Sequence, residues 1–176
     1  VLDIIFYRLT TWLAPILVFT TEEVWFERFN SKKSSIHMED IPTTPKQWFN
    51  VDLSMKWANI RQVRKVVTGA IEVQRQTKVI GSSLEASPEV YTSDFELFEQ
   101  IKSIDFAEIC ITSTIGLNNN KISNDMFTLD DVDNVGVIIK SSTGKKCERC
   151  WKYVCEDNTL KDNIDLCNRC NEALQA

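Results

Sequence analysis

A chain of 176 residues, 43% hydrophobic and 26% charged, carries enough apolar material for a core, which excludes a mainly disordered polypeptide. Its 20 lysines and arginines stand against 25 aspartates and glutamates, a net charge of −5 that excludes a generic polycationic nucleic-acid binder. No apolar run approaches the roughly twenty residues a bilayer requires, and the opening Val1 to Phe19 is broken by Asp3 and Arg8 and lacks the basic start of a signal peptide.

Taken in chain order, residues 1–30 read as two helices. The first places Leu2, Ile5, Phe6, Leu9 and Leu13 on one side. The second starts with Pro15 in its first turn, where a missing N–H costs nothing, and runs through Trp25 and Phe26. The aromatic residues of both helices are read as core. The chain opens at Val1 inside this pattern with no initiator Met, so it is expected to be the C-terminal piece of a longer protein. Asn30 to Ser35 is a polar connector, and Ile41-Pro42-Thr43-Thr44-Pro45 an extended turn, because each proline pushes its predecessor away from helix. Asp52 to about Lys78 is the longest helical stretch. Arg61, Arg64, Lys65, Thr68, Glu72 and Arg75 fall on one side of it, and Ile60, Val63, Val66, Val67, Ala70, Ile71 and Val73 on the other.

After Gly81-Ser82-Ser83 the period changes. Glu89 to Thr92 reads as a strand, and Ser93 or Asp94 as the cap of a helix carrying Phe95, Leu97, Phe98 and Ile101. Ala107 to Thr112 is expected to be a second strand, Gly116 to Lys121 a loop, and Val135 to Lys140 a third strand. Ser141 to Gly144 is expected to be a flexible joint. The fold class predicted is mainly α, divided into a helical domain over 1–80, a small α/β subdomain over 81–140 and a four-cysteine zinc finger over 141–176. Charge is uneven along this plan. Six basic residues face two acids between Asp52 and Leu84, whereas two face eleven between Glu85 and Ile139.

Cys147-Glu-Arg-Cys150 and Cys167-Asn-Arg-Cys170 carry the strongest chemical signal. Each C-x-x-C pair can present two thiolates from one tight turn, and the intervening stretch can fold back as a hairpin, the spacing of a four-cysteine zinc site. The competing reading is two disulfides, which such short loops seldom carry outside oxidoreductases. With four protein ligands no position is open for substrate, so the Zn2+ would be structural. With zinc-type thiols and no secretion signal, a reducing cytosol is the expected default compartment. Cys155 lies outside the paired spacing, and Cys110, between Ile109 and Ile111, reads as a small core residue. His37 has no acid or nucleophile at motif spacing and is assigned no catalysis. Trp151, directly after a ligand, reads primarily as the hydrophobic plug of a module with almost no core of its own. Arg149 and Arg169 read as neutralising the charge of the thiolate centre, or as contacts to phosphate.

Four segments together resemble the C-terminal region of bacterial-type isoleucyl-tRNA synthetases, of class I. Thr11-Trp12-Leu13-Ala14-Pro15-Ile16-Leu17 with Phe19-Thr20-Thr21-Glu22-Glu23-Val24-Trp25 is similar to paired helices of the anticodon-binding bundle. Ser35-Ile36-His37-Met38 is similar to the loop that leaves them, and Lys78-Val79-Ile80-Gly81-Ser82-Ser83-Leu84-Glu85-Ala86 to a helix-to-strand junction shared with the valyl enzymes. Lys146-Cys147-Glu148-Arg149-Cys150-Trp151-Lys152-Tyr153 with Leu166-Cys167-Asn168-Arg169-Cys170 resembles the zinc finger shared with formamidopyrimidine-DNA glycosylases. Residues 118–134 match no family pattern.

The resemblance implies a parent that joins isoleucine to tRNA(Ile) with ATP and Mg2+. The nucleotide signatures and editing domain of such enzymes are absent here, so this region is expected to hold no catalytic residue and to grip the anticodon stem-loop. Its partners would be tRNA(Ile) and the remaining domains of a monomeric, cytoplasmic, membrane-free synthetase. Arg61, Arg64, Lys65, Arg75, Arg149, Lys152 and Arg169 are the candidates for phosphate, and Trp151 for stacking. Two rival readings are the DNA-binding half of a formamidopyrimidine-DNA glycosylase-like protein, and a zinc-stapled interaction module.

Overall fold

Helical periodicity at the start of the chain produces α1 (Leu2–Leu13) and α2 (Val18–Phe29). Pro15 lies before the second helix rather than in its first turn. The Ile16 and Leu17 N–H groups both return to the Leu13 carbonyl, and this turn delays α2 to Val18. The computed structural model describes residues 1–29, 34–155 and 165–175, so Asn30 to Lys33 of the expected connector lie outside the described residues. The chain divides into two compact units, Val1–Asn50 and Val51–Ala176.

In the first unit Trp25, Ala14 and Ile36 are buried, with Phe6 and Tyr7 packed against them. The Phe6 and Phe29 rings lie beside Trp25 at centroid distances of 6.4 and 4.3 Å. Trp12, Phe19, Phe26 and Phe29 are exposed, so Trp25 is the one aromatic residue after Tyr7 on these helices that is core. Buried Thr10 and Thr11 satisfy their hydroxyls by donating to the carbonyls of Phe6 and Tyr7 one turn back. Glu22 fixes the loop after α2, accepting from the Ile36 N–H and the Ser35 hydroxyl at 3.0 Å each. Arg8 donates to the carbonyls of Pro42 and Thr43 and lies over the Trp48 ring, tying the proline turn to α1.

The second unit is built on α3 (Val51–Gln76) and a four-stranded sheet. Its strands are β1 (Ala86–Thr92), β2 (Gly116–Asn118), β3 (Phe127–Leu129) and β4 (Val132–Ser141), in the order β2-β1-β4-β3. β1 pairs antiparallel with β4 and parallel with β2. The crossover to β2 runs through α4 (Phe95–Lys102) and α5 (Phe106–Cys110). Ile60, Val63, Val66, Val67, Ala70 and Ile71 of α3 are buried against Val90, Val135, Val137, Ile101 and Phe106 in one core. Val73, placed by its period on the same side, is exposed near the helix end. The long helix, which the sequence assigns to the segment 1–80, therefore shares its hydrophobic core with the sheet.

Local chemistry explains the boundaries. Asp94 caps α4 by accepting from the Leu97 N–H, as its position predicts. The expected strand over Ala107 to Thr112 is instead α5. The Asp105 carboxylate accepts from the Glu108 N–H and starts a helical turn, and Ile111 at φ 57° ends it in the left-handed region. The expected loop at Gly116 contains β2, which pairs with Glu89, Val90 and Tyr91. β3, in the stretch without a family pattern, is a further strand not read from sequence. Gly116 lets the Glu89 side chain lie close: a Cβ there would fall 2.1 Å from Oε2 of Glu89, and the carboxylate would have to move aside. Glu89 also accepts from Asn118 at 2.9 Å, joining the edge strand to the centre of the sheet. The expected joint at Ser141 to Gly144 is tied down, because the Ser142 N–H donates to the Glu85 carbonyl at 2.7 Å and its hydroxyl to Leu84.

Candidate metal centre and its surroundings

The C-terminal module consists of a hairpin, β5 (Lys145–Lys146) with β6 (Tyr153–Val154), and a short helix, α6 (Asn168–Gln175). The hairpin carries the first knuckle at its tip. Its entry needs Gly144, which sits at φ 99° and whose Cβ would meet the Val154 carbonyl oxygen at 2.2 Å. The Cys147 N–H donates to the Lys152 carbonyl and the Trp151 N–H to the Cys147 carbonyl, each at 2.9 Å, closing a tight turn around Cys150. The second knuckle runs from Cys167 into α6, where the Asn171 N–H returns to the Cys167 carbonyl at 3.0 Å.

These two turns bring the sulfurs of Cys147, Cys150, Cys167 and Cys170 within 4.8 Å of one another. Cys147, Cys167 and Cys170 are buried, and Cys150 is half-buried. All are free thiols, and Sγ of Cys150 stands 3.7 Å from Sγ of Cys167, which does not accord with the disulfide reading. A metal with four thiolates at about 2.3 Å needs sulfurs about 3.8 Å apart, so the donor set fits a tetrahedral ion. Backbone donors support the charge this requires. Burial pushes the Cys147 thiol up, but the N–H groups of Cys150, Cys167 and Arg149 more than offset it and bring Cys147 to about 6. Burial leads in the opposite balance at Cys167, which is pushed up to about 12, and at Cys150, also raised. Four sulfurs so close cannot all carry negative charge without a cation among them, which is the place a metal ion would fill. Cys155 is exposed and bonded to Thr143, apart from this cluster among the described residues.

Trp151 is not a plug. It is 62% exposed, with Nε1 donating to the Glu148 carbonyl at 3.1 Å and the Lys146 ammonium 5.6 Å from its ring centroid. The knuckle forces this by placing Trp151 at φ 66°, which turns the side chain outward immediately after the second ligand. Beside it, a cleft of about 300 Å3 is lined by Trp151, Tyr153, Lys146, Ser82, Leu84 and Glu85.

The basic candidates are disposed unequally. Arg61 is exposed and makes no ion pair among the described residues. Arg64 is half-buried and spends its Nε on the Ile109 carbonyl at 2.9 Å. Lys65 is ion-paired with Asp131, and Arg75 with Glu72 at 3.3 Å. Arg149 donates to the Cys170 carbonyl at 3.4 Å, joining the two knuckles through backbone rather than through sulfur. Lys152 and Arg169 both converge on Oε1 of Glu108 in α5, at 2.6 and 2.8 Å. The Lys152 ammonium, and then the Arg169 guanidinium, hold the Glu108 carboxyl below its usual range. A second tie reinforces this one: the Ser113 hydroxyl accepts from the Tyr153 N–H at 2.8 Å and donates to the Leu84 carbonyl at 2.6 Å. Glu108, Ser113 and Lys146 are not singled out by the sequence, and only Glu108 carries a signal there, as the third residue after a capping Asp.

Residues 1–90 match the family described as the anticodon-binding domain of tRNA ligase. The isoleucine–tRNA ligase of Ruegeria pomeroyi is 46% identical over 174 residues, covering 99% of this chain and 18% of that protein. The enzyme of the same name from Brucella abortus is 49% identical over 149 residues, covering 85% of this chain and 15% of its own length. That of Agrobacterium fabrum is 47% identical over 171 residues, 97% of this chain and 18% of its own. The chain thus spans under a fifth of the curated relatives it matches. No helix among the described residues is long and apolar enough to cross a membrane.

Proposed function

Because this chain belongs to the anticodon-binding domain family of tRNA ligases, we propose that it is the tRNA-gripping C-terminal region of an isoleucine–tRNA ligase. The longer protein would join isoleucine to tRNA(Ile) with ATP and Mg2+ at residues outside this chain, as a cytoplasmic monomer. The proposed division of labour gives 1–80 and 141–176 to the anticodon stem-loop and 81–140 to their support. Similarity over 99% of the chain, running through both cysteine knuckles, is the observation that carries this reading.

Single-stranded loop bases are recognised by stacking and by contacts to their edges, while basic groups position the backbone. In the proposed scheme Trp151 offers the stacking face, beside the cleft that Ser82 and Glu85 line with polar atoms. Arg61, Arg75 and Arg149 guide phosphates, with Arg64 and Lys65 serving mainly to hold α3 to the sheet-bearing unit. Cys147, Cys150, Cys167 and Cys170 hold one Zn2+, whose contribution is to fix the two knuckles and so the direction of Trp151.

The glycosylase alternative is disfavoured, because an acidic, sheet-bearing unit precedes the knuckles where that reading calls for paired helices. The test is affinity of the zinc-loaded full-length protein for a tRNA(Ile) transcript against one altered only in its anticodon. Preference for the first is expected; equal binding of both, or none at low salt, would refute the reading.

A further inference from the structure

Several basic side chains in the second unit already hold a carboxylate, among them Lys65 on Asp131, Arg75 on Glu72 and Lys145 on Asp165. The case of Glu108 differs in kind. One oxygen of one carboxylate takes a cation from each knuckle, Lys152 two residues after Cys150 and Arg169 immediately before Cys170. The carboxylate comes from outside the metal module, on the helix that Asp105 caps. Lys152 is 21% exposed and Arg169 74%, so the pair presents one sheltered and one open cation. A carboxylate oxygen receiving two cationic donors has the charge and the donor geometry that a phosphate oxygen of an RNA backbone would otherwise take.

We propose that Glu108 is a specificity-determining residue that occupies Lys152 and Arg169 in the manner of a phosphate, so that the metal module does not grip RNA backbone indiscriminately. This rests on the functional reading above. Backbone contacts carry no base information, whereas stacking and edge contacts do. With both cations held by Glu108, affinity at the knuckles depends on what Trp151 and the neighbouring cleft can read. An RNA whose loop fits can displace the Arg169 arm of the clamp. One that does not fit finds the cations neutralised.

The experiment is fluorescence-anisotropy titration of the zinc-loaded full-length protein and its Glu108→Gln variant with two transcripts, tRNA(Ile) and the anticodon-altered form, between about 50 and 200 mM salt. Releasing two cations adds up to about two phosphate contacts, and each steepens the dependence of log K on log salt by about 0.7 for single strands. The variant is expected to bind the altered transcript several-fold more tightly at the lower salt, with a slope steeper by about 1.4, and to discriminate less. Zinc stoichiometry by native mass spectrometry should stay at that of the parent. An unchanged slope, or equal weakening for both transcripts, overturns the proposal and leaves Glu108 as a structural brace. Arg169→Gln gives an independent arm should Glu108→Gln fail to fold. It removes the cation that a fitting loop frees, so binding of tRNA(Ile) is expected to weaken several-fold more than binding of the altered transcript, and equal loss for both, or none for either, overturns the proposal. Wild-type protein that does not distinguish the transcripts sinks the functional reading itself. Discrimination with an unmoved Glu108→Gln sinks only the role given to Glu108.

Discussion

Under the proposed function, replacing Trp151 with Ala should separate RNA binding from metal binding, because the structure assigns this side chain little in the fold. Its indole is 62% exposed and makes one hydrogen bond, to the Glu148 carbonyl, and its φ of 66° is no easier or harder for Ala. The bond lost is worth about 1 kcal/mol. A structural zinc site binds with roughly 10–16 kcal/mol, so the knuckles should keep their metal. Stacking of one base on an aromatic face is worth about 1–3 kcal/mol by alanine substitution, which is about 5- to 150-fold in Kd. The assay pairs native mass spectrometry for zinc with anisotropy titration of a tRNA(Ile) transcript. Intact zinc with affinity reduced by that factor is the expected result. Unchanged affinity would refute Trp151 as a stacking platform, and loss of zinc would return it to the role of a plug.

Four further outcomes follow from the geometry. Cys167→Ser should release the metal and unfold the chain beyond Gly144 while α3 and the sheet remain; zinc at full occupancy in native mass spectrometry contradicts this. Gly116→Ala would displace the Glu89 carboxylate and with it the bond from Asn118, at a cost of about 1 kcal/mol in chemical denaturation, whereas a neutral result would show that this bond does not hold β2. Burial pushes Cys110 up to about 12, so at pH 8 only about one molecule in 10^4 carries its thiolate. Iodoacetamide should therefore alkylate exposed Cys155 and spare Cys110 until the protein unfolds, as peptide mapping would report. The fourth concerns pH. The folded-state carboxyl of Glu108 is depressed by Lys152 and Arg169, so its contribution is complete above its ordinary value of 4.5 and lost as pH falls through the lowered one. Denaturation midpoints of Glu108→Gln should accordingly converge on wild type once pH has fallen through that lowered value, and a gap that persists there would contradict the ion-pair account.

What can be read in the sequence is what depends on neighbours along the chain. The knuckle spacing is local, and so is the apolar face of α3, whose six buried residues fall where a 3.6-residue period puts them. The cap at Asp94 is a single-residue signal of the same kind. The strand expected over Ala107 to Thr112 rests on the run Ile109-Cys110-Ile111-Thr112, and the capping pattern Asp105-Phe106-Ala107-Glu108 overrides it, because a cap fixes backbone directly and β-branched character only biases it. β2 stays hidden because Gly116 and Asn118 speak for loop, and its pairing with Glu89 exists only once β1 is beside it. The exposure of Trp151 follows from a left-handed backbone at a residue that is not glycine, which the sequence does not announce. The clamp joins residues 44 and 61 positions apart, so no pattern within a window could reveal it.

The two central strands of the sheet have a bearing on how the molecule is made. β1 and β4 pair from Thr92 with Val135 to Ala86 with Ser141, partners roughly fifty residues apart, and loop closure over such a distance must precede any reward from pairing. Until β4 has left the ribosome, the apolar side of α3 has no sheet to rest on. The interval between completion of α3 and arrival of Ser141 is therefore when this unit is open to aggregation and to chaperones.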